Sequence, residues 1–231
     1  MTRSSSGAPR RLAGARRPRW GLIAVGLGLV MLIGAGVVAC RSAPPSDVGA
    51  STVTALASAS PSSAGVQVLD GSLPTADPAL PPVSLRIPAI RLTATVAAVG
   101  VDAATGDFDV PPSVDRVGWY RFGASLSDKS GSIVVAGHVD SAAQGRGAFF
   151  RLGSLSPGDK VTLRSAGGDA QDFQVVGREV YAKTKIPLAK YFARDGALRL
   201  TLITCGGPFD AKTRHYRDNI VVTATPIASK R

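Results

Sequence analysis

Leu198-Arg199-Leu200-Thr201-Leu202-Ile203-Thr204-Cys205-Gly206-Gly207-Pro208 is the stretch on which the reading of this chain turns. A run of apolar and β-branched residues stops at a cysteine and then at a Gly-Gly-Pro break, so it reads as a strand with Cys205 at its end. A side chain delivered there, beside glycines that let another backbone come close, is placed to meet a substrate. A buried core cysteine would fit the same place, because free Cys is among the most buried residue types.

Working outward, residues 83–231 carry the pattern of an all-β domain. Strands are predicted at 83–87, 91–100, 106–110, 131–138, 160–165, 171–182, 197–205 and 219–226, each bounded by turn residues. Pro157-Gly158-Asp159 and Gly167-Gly168-Asp169 are turn signals, the second joining a hairpin. Short helical turns are expected near 148–155 and 187–194. Eight short strands with little helix point to a closed barrel or a sandwich. A domain of this length buries about two-thirds of its unfolded surface, enough for a stable core.

Residues 41–82 shift to Ser, Ala, Pro, Thr and Gly, with only Arg41, Asp47, Asp70 and Asp77 charged. So little large apolar content predicts a disordered linker with a reach of roughly 35–40 Å. Before it, residues 21–40 include 21–39 without a charge, about 28 Å long as a helix and matched to a bilayer. The expectation is a transmembrane anchor preceded by a basic cytoplasmic segment, 1–20, which sends the rest of the chain outside. A cleaved signal peptide has a shorter apolar core. Val37-Val38-Ala39-Cys40 also resembles a lipobox, and a lipidated Cys40 would leave the domain tethered outside as well.

The formal net charge of +11 is therefore a topology signal first. Six arginines (Arg3, Arg10, Arg11, Arg16, Arg17, Arg19) lie in the first twenty residues, and removing them from the 27 basic residues leaves 21 against 16 acidic ones. That remainder has no Lys/Arg-rich run interleaved with aromatics, which argues against nucleic-acid binding.

Cys40 and Cys205 are the two cysteines. Exported proteins usually pair their cysteines or avoid them, so an unpaired Cys205 asks for an explanation. His138 ends the run Ser132-Ile133-Val134-Val135-Ala136-Gly137, and Arg217 stands where the polar loop 210–216 meets the last apolar strand. Taken singly, each has an ordinary structural or solvated role. Together they fit acyl transfer. A thiol near its free pKa is only a few per cent thiolate at neutral pH and needs help. An imidazole exchanges protons with it and with a leaving amine. A guanidinium stays charged and stabilises a thiolate or an oxyanion.

Thr201-Leu202-Ile203-Thr204-Cys205 resembles the sortase nucleophile motif, Thr-Leu-x-Thr-Cys. Gly137-His138-Val139-Asp140 resembles the segment holding that family's catalytic histidine, and Arg217 matches its arginine by spacing, with Arg214 a nearby alternative. Leu85-Arg86-Ile87-Pro88-Ala89-Ile90 is similar to the first strand, and Val117-Gly118-Trp119-Tyr120 to the turn before the histidine strand. The Thr-Cys-Gly-Gly-Pro-Phe-Asp form and the run His215-Tyr216-Arg217-Asp218-Asn219 resemble actinobacterial sortases, class F first and class E second.

The resemblance implies an eight-stranded β-barrel. It also implies a cysteine transpeptidase with Cys205, His138 and Arg217 as catalytic residues; no cofactor or metal ligand is assigned, since no acidic cluster clearly matches the calcium site of some class A members. Its partners would be proteins bearing an LPxTG-type sorting signal and an amine of a peptidoglycan precursor or a pilin. The expected place is a single-pass membrane protein with the catalytic domain extracellular. An exported cysteine peptidase and a noncatalytic β-barrel lipoprotein are the alternatives from other classes.

Overall fold

The computed structural model describes residues 45–59, 79–102 and 108–228. Eight strands close a barrel in the order β1-β2-β3-β4-β9-β10-β8-β7. They are β1 (Pro82–Ile87), β2 (Leu92–Val99), β3 (Val117–Tyr120), β4 (Ser132–Gly137), β7 (Lys160–Ser165), β8 (Ala170–Ala182), β9 (Arg199–Asp210) and β10 (His215–Pro226). A two-stranded ribbon, β5 (Asp140–Ser141) with β6 (Gly145–Arg146), follows β4.

Strand alternation fills the interior. Leu85 and Ile87, Ile133 and Val135, Leu163, Phe173, Leu200 and Leu202, and Val222 and Ala224 all belong to one buried cluster at two-residue spacing. Closure removes exposed sheet edges. Two pairings are parallel, β2 with β3 and β4 with β9. The β4–β9 pairing places the histidine and cysteine segments on adjoining strands that run the same way.

Several expectations need correction. Of the strand expected at 106–110, 106 and 107 lie outside the described residues, and among the rest Phe108 makes only an isolated bridge to Val101. The barrel takes Val117–Tyr120 as its third strand instead. Strand β9 continues through Gly206-Gly207-Pro208 to Asp210, so Cys205 lies within a strand and not at its end. The continuation is possible because Gly207 has φ 71 and the ladder absorbs a bulge there, where Gly207 and Pro208 oppose Arg217 alone. The helical turns near 148–155 and 187–194 are realised as one 3-10 turn, Leu152–Ser154, and one short helix, α2 (Leu188–Tyr191).

The expected disordered linker is structured in part. Residues 50–58 form helix α1 (Ala50–Ser58), and the chain before it pairs with β8 through Val48 and Arg178. The cause is local complementarity that composition hides. Arg178, almost fully buried, donates to the carbonyls of Leu155 and Ser46, while the Asp47 carboxylate accepts from the Val180 amide at 2.7 Å. Val53 is buried with Tyr191 and Val221 on the outer face of the barrel. A Cβ at Gly177 would lie 2.6 Å from Val53 Cγ2, so glycine permits the contact. Residues 60–78, the basic segment and the expected anchor at 21–40 lie outside the described residues. Among the described residues no helix is long and apolar enough to cross a membrane.

Candidate active site

The barrel interior claims Leu200 and Leu202, which turns Ile203 and Cys205 to the outer face. On β4 the same alternation puts Ala136 outside, and His138 follows two residues later. The parallel register pairs Val135 with Leu202 and Ala136 with Ile203. Carried on by two residues, it sets His138 beside Cys205. Two side-chain bonds lock that register: Ser132 Oγ to Thr201 Oγ1, and Thr204 Oγ1 donating to the Gly137 carbonyl, both at 2.8 Å. Gly137 must be small, since a Cβ there would lie 2.9 Å from both Phe149 and Val117.

Cys205 and His138 line one cavity of about 650 Å³. The thiol is free and half-buried. The imidazole Nε2 lies 2.9 Å from the Pro111 carbonyl oxygen. A carbonyl only accepts, so Nε2 carries the proton in this bond and Nδ1 is left as the basic nitrogen of the neutral ring. The far wall is aromatic: Phe108, Tyr120 and Phe192 pack together, with Tyr120 and Phe192 edge-on at 5.2 Å. Ile186 and Leu188, from the chain between β8 and β9, complete an apolar side, with Lys183 and Thr184 at its margin.

Arg217 lies on β10 but does not line the cavity. Its guanidinium is 3.2 Å from Asp210 and largely exposed. Amides of Lys212 and Thr213 hydrogen-bond the Asp210 carboxylate and, with Arg217, hold it below the usual carboxylate range. Arg214, the nearby alternative, occupies the β9–β10 turn with φ 57 and also stands outside the cavity. The structure therefore brings Cys205 and His138 together and holds Arg217 one step away.

Sequence reasoning missed Asn219, the cross-strand partner of Cys205, and the aromatic wall. Asn219 becomes legible only once the bulge at Gly207 fixes the β9–β10 register. Phe108, Tyr120 and Phe192 come from three separate segments and carry no shared motif. Tyr216, on the same hairpin, donates its hydroxyl to Asp140. Among the described residues no group of three His, Cys, Asp or Glu side chains could hold a metal ion.

A free thiol beside an imidazole, in a groove on the outside of a closed barrel, defines the class: a cysteine acyl-transfer enzyme. The Sortase domain family model matches residues 85–227. The chain belongs to the sortase family and is an enzyme of the sortase type, a transpeptidase. Solved structures similar to it include Streptococcus agalactiae sortase C1, at 19% identity over 64% of this chain and 68% of that one, TM-score 0.49. Sortase A from Corynebacterium diphtheriae matches at 19% identity over 65% and 63%, TM-score 0.49. Sortase C-1 from Actinomyces oris matches at 20% identity over 63% and 72%, TM-score 0.48. No curated protein matches the chain.

Proposed function

We propose that this enzyme cleaves an LPxTG-type sorting signal after its threonine and transfers the acyl group to an amine of the cell wall or of a pilin subunit. The observation that carries the reading is the placement of Cys205 and His138 on adjoining strands over one 650 Å³ groove with an apolar wall. A groove of that character suits an extended, partly apolar peptide.

The Cys205 thiolate adds to the threonine carbonyl, and the glycine amine leaves with a proton from His138. A thioester remains on Cys205. His138 then takes a proton from the incoming amine, which attacks the thioester and expels the Cys205 thiolate, restoring the starting pair. Arg217 supplies positive charge to the developing oxyanion and orients the peptide backbone, which requires it to leave Asp210. Water replaces the amine slowly. In this reading residues 1–20 are cytoplasmic, 21–40 cross the membrane, and the catalytic domain works outside the cell. Class F is the closest subclass by motif, then class E.

The test uses the detergent-solubilised full chain with a fluorogenic Leu-Pro-x-Thr-Gly peptide, with and without a glycine-type amine. Cleavage, a thioacyl adduct on Cys205 and an amine-dependent product are expected, and Cys205→Ala loses all three while melting like the parent. Adduct without amine transfer would make it a peptidase. Normal cleavage by Cys205→Ala would overturn the nucleophile.

A further inference from the structure

We infer that Asn219 is a catalytic residue of this transfer: its side-chain Nδ2–H donates to the oxygen of the carbonyl that Cys205 attacks. The inference deepens the transpeptidase reading and rests on it.

The first ground is register. Asn219 and Cys205 are paired across the antiparallel β9–β10 ladder. Such partners share a face with their Cβ atoms about 4.5–5.5 Å apart. The parallel β4–β9 register sets His138 on the other side of Cys205. His138, Cys205 and Asn219 thus form one row across three adjoining strands, and all three line the cavity. A carboxamide so placed can reach an oxygen on a carbon bonded to the cysteine sulfur.

The second ground is what the neighbouring side chains are doing. On the same strand Tyr216 is tied to Asp140, Arg217 is paired with Asp210, and Val221 is buried under helix α1. Asn219 is half-buried, and its carboxamide has no hydrogen-bond partner among the described residues. The carboxamide meets solvent in the cavity and is tied to no other side chain, so beside the nucleophile it stands free to donate to a ligand's oxygen.

The third ground is the chemistry of the step. When the thiolate adds, the carbonyl π pair moves onto oxygen, and that charge needs a donor already in place. As the tetrahedral centre collapses, the oxygen pair re-forms the carbonyl, the C–N bond breaks, and the amine nitrogen takes its proton from His138. Nothing is oxidised or reduced. Asn219 keeps its own protons throughout, so it can act in both acylation and transfer. Arg217 contributes charge from farther along the strand, while Asn219 contributes the short directional bond.

The experiment compares the detergent-solubilised full chain with Asn219→Ala and Asn219→Asp. It measures thioacyl formation from a Leu-Pro-x-Thr-Gly peptide by rapid quench and mass spectrometry. Iodoacetamide alkylation of Cys205 reports the thiol alone. Asn219→Ala is expected to slow acylation about 100-fold while alkylation stays within about two-fold. Asn219→Asp keeps the shape, loses the donor and faces the oxyanion with a carboxylate, so it should be slower still. Acylation by Asn219→Ala within about three-fold of the parent would overturn the assignment, as would a parallel loss of alkylation. A parent chain that alkylates but never acylates with any signal peptide would instead overturn the transpeptidase reading, and this assignment with it.

Discussion

The Tyr216 hydroxyl donates to the Asp140 carboxylate, tying the start of β10 to the ribbon strand just beyond His138. The bond joins the hairpin that follows Cys205 to the chain that follows the histidine. It also holds the phenol neutral. Asp140 pushes the Tyr216 pKa up, with burial and the nearby Cys205 adding to it, to about 12. Stability from this raised pKa is present below the ordinary tyrosine value near 10 and is lost as pH rises through about 12. The difference between the 295 nm titrations of the parent and Tyr216→Phe should therefore centre near 12. In an Asp140→Asn background it should fall back toward 10. A parent difference curve already centred near 10 would show that the bond does not form in solution.

The Arg217–Asp210 pair makes a prediction about which residue restrains which. It is a largely exposed ion pair, so it contributes little to folding. Its depressed Asp210 pKa keeps the carboxylate charged well into acid, and the stability it adds is lost only as pH falls through that lowered value. Asp210→Asn should leave the melting temperature nearly unchanged and keep or raise kcat/KM, because Arg217 is released toward the groove. Arg217→Ala should lower kcat/KM about 100-fold, and Arg217→Lys should recover only part of it, since the charge returns without the planar fork. A drop in kcat/KM with Asp210→Asn as deep as with Arg217→Ala would mean that the pair itself is the working arrangement.

The strands that point into the barrel were legible because alternation and β-branched residues mark them, as in 131–138, 160–165 and 171–182 against β4, β7 and β8. Val117–Tyr120 was not, since four residues with a glycine and two aromatics read as a turn; burial of three of them between β2 and β4 makes it a strand. Gly-Asp-Phe-Asp-Val at 106–110 carried a strand-like alternation, yet among its described residues only Phe108 pairs, in one isolated bridge. Cys205 and His138 were legible because each closes an apolar run. Asn219 was not, because its position depends on one extra residue in a bulge. The ordered part of the linker was hidden too: Val53 and Leu56 are its only large apolar residues apart from Val48, and what fixes it is Arg178, more than a hundred residues away.

Docking of that N-terminal segment predicts a stability step between two truncations. Residues 83–231 lack Val53, which covers Tyr191 and Val221, and lack the Ser46 carbonyl that accepts from Arg178. A buried arginine losing an acceptor and an apolar face opened to water should cost about 2–4 kcal/mol together. Thermal melts of 83–231 and 45–231 should differ by about 5–15 °C in favour of the longer chain. Equal melting temperatures would mean that the segment lies on the barrel without stabilising it. Val53→Asp in the longer chain should reproduce most of the loss, because it places a carboxylate in the apolar contact with Tyr191 and Val221.

The last prediction concerns Glu179, a buried carboxylate on β8 that organises one wall of the groove. It accepts from Lys190 Nζ at 2.9 and 3.1 Å, from the Tyr191 hydroxyl at 2.7 Å and from the Tyr181 hydroxyl at 2.7 Å. Burial and these contacts push the Tyr181 pKa up to about 12 and the Tyr191 pKa further in the same direction, so both phenols keep their protons at working pH, and Tyr181 also accepts from the Tyr191 hydroxyl at 2.9 Å. Lys190 and Tyr191 belong to helix α2, whose first residue Leu188 and C-cap Phe192 line the cavity. Glu179→Ala strands a half-buried lysine and two hydroxyls at once, and breaking such a partly buried charge pair costs up to about 3–5 kcal/mol. Glu179→Gln keeps the shape and one acceptor, so it should fold at a smaller loss and isolate the effect on the wall. Because Glu179 touches none of the reacting atoms, Glu179→Gln should raise KM for the signal peptide several-fold and leave kcat and Cys205 alkylation within about two-fold. A fall in kcat at unchanged KM would show that this network acts on the chemistry and not on the wall that receives the peptide.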